Sequence, residues 1–262
     1  MATIRKGNYL KGVLGPLVFR KVNGRQEIVT KPVPGQMKQT KATKRASGTF
    51  GLSSKLGARI RDAVRGQLTN FQDSRMNVRL VGELNSILQG CRDSETRSFD
   101  FSEQTFSRLA GFEFNTDSKV RNLMLQFPEV KADQKILSVH VPPLSIPGKF
   151  KFPQKSFFCG LNISVSLFRL KDGKMAVAAK SQHMEIYRYP ELSAAAEFKF
   201  DLPEGCLCIT TISLKYAVAE EGGRRFINNK RFNPVCILGA LFTTGTYGEP
   251  DDNQWTGMVK FP

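Results

Sequence analysis

The spacing of hydrophobic positions predicts three regions, of which the first is a β-hairpin. Residues 13–32 (VLGPLVFRKVNGRQEIVTKP) contain two strand-forming runs on either side of an Asn-Gly pair. A type I′ turn requires positive φ at both central positions, and Asn-Gly accepts this conformation readily. An isolated hairpin is marginal in water, so we expect this one to dock on the body of the chain or on another chain. The residues expected to make this contact are Phe19, Val22, Asn23, Gly24 and Ile28.

Two amphipathic helices are predicted after a polar, basic linker at 35–48. The first is expected to start near the cap candidates Ser53 and Ser54, and the second to run over 73–88, with Asp73 as its cap and Gly90 at its end. Joined by a short turn, they would form a helical hairpin whose apolar stripes face the core. The first stripe consists of Phe50, Leu52, Leu56, Ile60, Val64 and Leu68.

After about residue 98 the pattern changes to short β-runs separated by turn signals such as Asp172-Gly173 and Gly222-Gly223. Seven or more strands at this spacing are typical of an antiparallel β-sandwich. The predicted strands are 120–127, 135–141, 161–170, 174–187, 197–202, 206–218 and 233–244.

The predicted fold class is therefore α+β, with three parts in chain order. Residues 1–48 form a basic hairpin arm and linker, 49–97 a helical hairpin, and 98–262 an antiparallel β-sandwich. Beyond residue 110 no strands alternate with long helices, which argues against a doubly wound α/β enzyme.

The positive charge is concentrated at the N-terminal end. Fourteen of the 39 Lys and Arg residues lie in the first 61 positions beside a single acid, Glu27, whereas the remaining 201 residues carry 25 basic and 22 acidic groups. Such an asymmetry indicates an acidic partner. The cations expected to contact phosphate or acidic protein are Arg20, Lys21, Arg25, Lys31, Lys38, Lys41, Lys44, Arg45, Arg59 and Arg61.

The charge alone leaves the partner open between protein and nucleic acid. Lys and Arg with neighbouring Thr residues suit a phosphate backbone. Aromatic residues that could stack on bases are few in this segment: Tyr9, Phe19 and Phe50. Any nucleic-acid binding is therefore expected to be indifferent to sequence, and we favour protein contact or solvation.

The sequence predicts no catalytic, metal or cofactor site, and hence no enzyme. The only histidines, His140 and His183, lie inside predicted strands without a nucleophile motif. Five Cys residues include no CxxC pair, and Cys206-x-Cys208 has no clear mate for zinc. No phosphate-binding glycine loop is present. Reduced thiols, no apolar run long enough for a membrane span and no signal peptide predict a cytoplasmic protein.

Three segments carry a resemblance to known sequences. GVLGPLVFRKVNGR, FGLSSKLGARIRDAV and RLAGFEFN occur in this order, and the chain resembles a family of uncharacterised Bacteroidota proteins. These share a basic Gly-rich hairpin, an FG-led helix, a GFEFN-like strand and a β-rich C-terminal half. The resemblance implies this architecture and a bacterial cytoplasmic setting, and it implies no activity.

Two hypotheses for function follow. The first is a non-enzymatic structural protein that self-assembles as a homo-oligomer, such as a shell, tube or filament, through its N-terminal arm. The alternative is a protein that binds DNA or RNA backbones through residues 1–65 without reading sequence. The two can coexist in a shell that holds nucleic acid.

Overall fold

The structure is a computed structural model that describes residues 2–5, 7, 9–22, 24–31, 40–153, 155–248 and 254–262. The chain divides into two compact units, Met1–Ser47 and Gly48–Pro262, which we call the N-terminal unit and the main unit. Asn23 and Lys38, both predicted contact residues, lie outside the described residues.

The N-terminal unit contains a four-stranded antiparallel meander. The predicted hairpin is present as its last two strands, with Gly24 (φ +83°) in the connecting turn. The hairpin is not isolated, because the turn at Gly15 and Pro16 joins it to a preceding strand that the sequence pattern did not predict. In sheet order the strands are β1 (Thr3–Arg5), β2 (Tyr9–Leu14), β3 (Leu17–Val22) and β4 (Arg25–Thr30).

The helices are α1 (Lys41–Ala63), α2 (Arg65–Leu68), α3 (Met76–Gly90) and α4 (Val120–Leu123), with a 3₁₀ turn at Ser107–Leu109. The predicted start of the first helix near Ser53 is wrong, because α1 begins at Lys41. The reason lies in Thr40, whose Oγ1 accepts a hydrogen bond from the Thr43 N–H (3.1 Å), as an N-cap side chain does. The second half of the predicted linker is thus helical.

The strand predicted at 120–127 is also wrong, since this segment starts with α4. The carboxylate of the buried Glu113 accepts hydrogen bonds from the N–H groups of Val120 (3.0 Å) and Arg121 (3.4 Å). The first backbone N–H groups of a helix have no partner within the helix. A side chain distant from the apolar pattern therefore stabilises a helical turn here.

The main unit contains two antiparallel sheets. A three-stranded sheet has the order β10-β6-β5, and a curled seven-stranded sheet has the order β12-β11-β7-β8-β14, with β13 also paired to β11 and β9 to β7. The strands are β5 (Glu129–Asp133), β6 (Ile136–Val141), β7 (Phe158–Arg169), β8 (Lys174–Ala176), β9 (Lys180–Tyr187), β10 (Ala196–Asp201), β11 (Leu207–Glu220), β12 (Gly223–Phe226), β13 (Val235–Phe242) and β14 (Trp255–Gly257).

Two hydrophobic clusters cover opposite faces of the large sheet. Leu207 and Ile209 of β11 belong to the cluster that includes Leu56 of α1 and Leu84 of α3, while Cys208 belongs to the second cluster. This alternation follows from the two-residue period of a strand. Helices and a large antiparallel sheet confirm the α+β class. In the described part of the chain, no helix combines the length and apolar character needed to cross a membrane.

Candidate interaction surface

The N-terminal sheet has an apolar face with little cover. In the strand register Leu14 lies opposite Leu17, and Phe19 lies opposite Ile28. Directly opposed residues share a face, as do residues two apart on one strand, so these four side chains form one surface, which we call the apolar face. Leu14 is 60% exposed and Ile28 57%, whereas Phe19 is only 7% exposed. Among the described residues of this unit, Phe19 is the one buried hydrophobic side chain.

A glutamine fixes the order of this sheet. The Gln26 carboxamide on β4 accepts a hydrogen bond from the Leu10 N–H (2.9 Å) and donates one to the Leu10 carbonyl oxygen (3.0 Å). The side chain thus satisfies both backbone groups of a residue on β2, a strand that is not adjacent to β4 in the sheet. Hydrophobic periodicity carries no signal for this contact, so the sequence pattern does not predict it.

The cations of the sheet do not form a single basic face. Arg20 and Lys21 are consecutive on β3 and therefore point to opposite sides. Arg20 pairs with Glu27 opposite it (Nε–Oε2, 3.0 Å), and Lys21 Nζ lies 3.7 Å from the centroid of the Tyr9 ring. Arg25 and Lys31 are exposed at the ends of β4. Two of the four predicted contact cations are thus engaged within the unit.

The helical cations belong to different units. Lys41, Lys44 and Arg45 lie on the exposed first turns of α1, in the N-terminal unit. In the main unit Arg59 pairs with Asp62 (3.5 Å), and Arg61 Nε donates to the Gly57 carbonyl (3.3 Å). In the main unit, two of the predicted phosphate-contact residues are therefore engaged by their own helix.

The candidate catalytic groups lie apart. His140 is exposed on β6 opposite Glu129 and Glu197, and His183 is exposed on β9. Within the described residues no three His, Cys, Asp or Glu side chains are grouped to hold a metal ion. None of the five cysteines forms a disulfide bond. Burial raises the pKa of Cys91 to about 11 and that of Cys208 to about 12, so these thiols stay protonated and weakly nucleophilic at neutral pH.

The main unit also has a cavity of about 620 Å³ beside β8 and β9, a size typical of small-molecule pockets. Its aromatic wall is a T-shaped pair of Tyr247 and Trp255, with ring centroids 5.1 Å apart and a hydrogen bond from Trp255 Nε1 to Tyr247 Oη (3.0 Å). The buried Arg169 stacks 3.9 Å from the Tyr247 centroid and pairs with Asp172 (2.6 Å). Trp255 is the only tryptophan of the chain, and no local sequence pattern indicates its place in this wall.

The described residues therefore present three candidate interaction sites: an apolar sheet face, exposed helical cations and a cavity. The likeness to Bacteroidota sequences stays a prediction. No family model matches the chain, and no curated protein or solved structure matches it.

Proposed function

We propose that this chain is a non-enzymatic structural protein that self-assembles, with the apolar face of its N-terminal sheet packed against a second copy of the chain. The observation that carries this proposal is the exposure of Leu14 and Ile28 beside the buried Phe19. We propose that the assembly is a shell, tube or filament. The same proposal places it in the bacterial cytoplasm.

The energetics of the N-terminal sheet support a partner. Fixing the backbone costs roughly 1–2 kcal/mol per residue, and burying one large apolar side chain returns about 1.5–3 kcal/mol. A four-stranded sheet whose described residues bury one such side chain is therefore short of core. Covering Leu14, Leu17 and Ile28 with apolar surface from a second copy would supply what is missing.

The sheet edges support the same proposal. Among the described residues, β1 and β4 each pair on one side only. An unpaired edge offers a row of backbone donors and acceptors to another chain. Strand addition at β4 would satisfy these groups and fix the register between copies, and the exposed Arg25 and Lys31 would then meet acidic groups of the partner.

Light scattering coupled to size-exclusion chromatography tests the proposal over a range of protein concentrations. The wild-type mass is expected to rise with concentration above the 29.3 kDa of one chain. The double variant Leu14→Ser/Ile28→Ser should stay near the mass of one chain. A matched control, Val78→Ser/Val177→Ser, removes two side chains of the main unit that are 75% and 61% exposed, and it should behave as wild type.

The proposal fails if the wild-type chain has the mass of one copy at every concentration. It also fails if the control variant loses assembly as fully as the sheet variant, because exposed apolar side chains would then act without regard to position. Negative-stain microscopy of the same samples would show whether the larger species have a regular form.

Sequence-indifferent nucleic-acid binding by residues 1–65 is the alternative function. The exposed positions of Lys41, Lys44 and Arg45 on the first turns of α1 favour it, since Lys and Arg that face solvent can displace counterions from phosphates. Binding that persists unchanged in the triple variant Lys41→Ala/Lys44→Ala/Arg45→Ala would count against this alternative.

We propose that the three-stranded sheet packs on the large sheet as a β-sandwich. Leu137 and Val139 of β6 and Ile163 of β7 lie in one buried cluster, which is the arrangement expected for facing sheets.

A further inference from the structure

We propose that the main unit carries its own binding site for a nucleic-acid phosphate backbone, in a basic groove built on the GFEFN segment (residues 111–115). Two grooves of about 720 and 460 Å³ share Arg79 and Thr116 in their linings, and we call them together the basic groove. Its cations are Arg75, Arg79, Arg108, Lys119, Arg121, Lys230 and Arg231.

The charge of the groove is unusual for its part of the chain. Residues 62–262 carry 25 basic and 22 acidic groups, and seven of those cations line this one surface. The acids of the lining are mostly engaged: Asp73 pairs with Arg79, Glu83 with Arg108, and the buried Glu113 with Arg121. Asp117 is the one exposed carboxylate of the lining without a cationic partner among the described residues.

Four cations of the groove have no acidic partner within the described part of the chain: Arg75, Lys119, Lys230 and Arg231. A cation that is already paired with a carboxylate contributes little binding free energy with a phosphate, because its charge is neutralised. Unpaired cations instead release condensed counterions when they meet a phosphate backbone, and this release drives binding. The hydroxyl of Ser74, also in the lining, is a further donor to phosphate oxygens.

The GFEFN segment holds two of the paired cations of the groove, Arg79 and Arg121, in place. Arg79 donates to the Glu113 carbonyl (Nη1–O, 2.9 Å), and its guanidinium lies 5.0 Å from the centroid of the buried Phe112 ring. Arg121 donates to the Gly111 carbonyl (Nη2–O, 2.9 Å). These contacts fix the wall of the groove beside the unpaired cations.

The same segment also positions the loop that presents Lys230 and Arg231. Asn115 Nδ2 donates to the Lys230 carbonyl (3.0 Å) and to the Phe71 carbonyl (2.8 Å). The Arg231 N–H donates to Asn229 Oδ1 (2.9 Å), and Asn229 and Phe232 exchange backbone hydrogen bonds. The two cations thus stand on a closed turn rather than on an unconstrained loop.

Asp73 connects three residues of the groove lining by hydrogen bonds. Its carboxylate accepts hydrogen bonds from the Thr116 N–H (3.1 Å), the Arg75 N–H (2.8 Å) and Arg79. The one aromatic ring of the lining, Phe112, is buried beneath Arg79, so the groove has no exposed ring on which a base could stack. Backbone contact without sequence preference is the binding mode that this chemistry supports.

Fluorescence anisotropy of the full chain with a labelled 20-nucleotide single strand of mixed sequence, as DNA and as RNA, tests the site at 50–200 mM salt. The groove variant Lys230→Glu/Arg231→Glu is expected to weaken binding tenfold or more at 100 mM salt. Its log–log salt slope should be shallower than that of wild type by about 1.4, which corresponds to two lost single-strand contacts. The result should be the same for DNA and RNA.

Two controls remove the same charge elsewhere. Lys171 and Lys260 are exposed in the main unit outside the groove, and Lys171→Glu/Lys260→Glu should change the affinity less than threefold. A second control places Arg25→Glu/Lys31→Glu in the N-terminal sheet. In this background the groove variant should still make the log–log salt slope shallower by about 1.4. Unchanged circular dichroism and thermal midpoints verify folding, and Lys230→Gln/Arg231→Gln replaces the groove variant if the charge reversal unfolds the chain.

The proposal is overturned if wild type does not bind at 50 mM salt, or if groove and control variants weaken binding equally. It is also overturned if the N-terminal variant abolishes binding while the groove variant leaves it unchanged. None of these outcomes bears on self-assembly, which the scattering experiment tests separately.

Discussion

Phe19 and Ile28 lie directly opposite each other on β3 and β4 and share one face of the N-terminal sheet, yet Phe19 is 7% exposed and Ile28 57%. Phe19 also lies opposite Gly12 on β2, which has no side chain to occupy the space beside the ring. The apolar face is thus buried at Phe19 and exposed at Leu14 and Ile28. A second copy of the chain would extend the cover from Phe19 outward.

The tie between Gln26 and Leu10 should control the stability of the sheet. Gln26→Leu removes both hydrogen bonds to the Leu10 backbone, each of which contributes about 1 kcal/mol. Hydrogen exchange at the Leu10 amide should then accelerate by roughly 5–30-fold. Gln26→Glu can accept from the Leu10 N–H but cannot donate, so it should give an intermediate rate. Equal rates in wild type and Gln26→Leu would show that the tie does not hold β2.

Asp73 should make the stability of the main unit depend on acid pH. Burial raises the pKa of Asp73, but hydrogen bonds from the Thr116 and Arg75 backbones and from Arg79 outweigh burial and hold the pKa below its usual value of 3.8. A carboxyl with a lower pKa in the folded chain contributes stability that is full above the unfolded value and lost as pH falls through the folded value.

Asp73→Asn should therefore destabilise the chain at pH 7 by about 1–3 kcal/mol, and this difference should shrink as pH falls below 3.8. Urea unfolding of both proteins between pH 3 and pH 7 measures it. If the difference in unfolding free energy is constant over this range, the charge of the Asp73 carboxylate does not stabilise the folded chain.

Glu113 should show the opposite dependence. Burial raises its pKa above the usual 4.5 despite hydrogen bonds from Val120 and Arg121 and the nearby Arg121 charge. A raised folded pKa means that the carboxyl's contribution is full below the unfolded value and is lost as pH rises through the folded value. The free energy of unfolding of Glu113→Gln minus that of wild type should thus increase between pH 4 and pH 8. A decrease over that range would contradict the prediction.

Arg169 should fix the aromatic wall of the cavity. Trp255 is the only tryptophan, so its emission reports on this wall directly. Arg169→Ala removes the group stacked on Tyr247 and should shift the emission to longer wavelength and increase quenching by acrylamide. Arg169→Lys keeps a charge for Asp172 but lacks a planar guanidinium, so it should restore only part of the effect. Unchanged emission in Arg169→Ala would show that the pair packs without Arg169.

Local patterns predicted the elements better than the contacts between them. The Asn-Gly signal placed the β3–β4 hairpin, and the stripes through Leu56 and Leu84 placed two helices, because each depends on residues close in sequence. The start of α1 was missed because a threonine at position 40 supplied the cap where the apolar stripe had not begun. The α4 turn was missed because Glu113 satisfies its N–H groups from a separate segment.

The interaction surfaces could not be predicted from the sequence, because they are formed by contacts between residues far apart in the chain. Charge density along the chain pointed to residues 1–61, whereas Arg79, Arg121 and Lys230 meet in the main unit through bonds to the GFEFN segment. Arg121 follows Arg79 by 42 positions in the sequence, and Lys230 follows Arg121 by 109 positions. Only the folded chain shows that they line one groove.

Cross-linking of isotopically mixed chains tests the central claim of self-assembly most directly. Equal amounts of nitrogen-15-labelled and unlabelled full chain are mixed before assembly, treated with an amine-reactive cross-linker and analysed by mass spectrometry. Heavy–light cross-links should join Lys21 or Lys31 of one copy to lysines of another copy, and Leu14→Ser/Ile28→Ser should abolish them. If Lys21 and Lys31 give cross-links only within a single copy, the N-terminal sheet does not dock on a second chain.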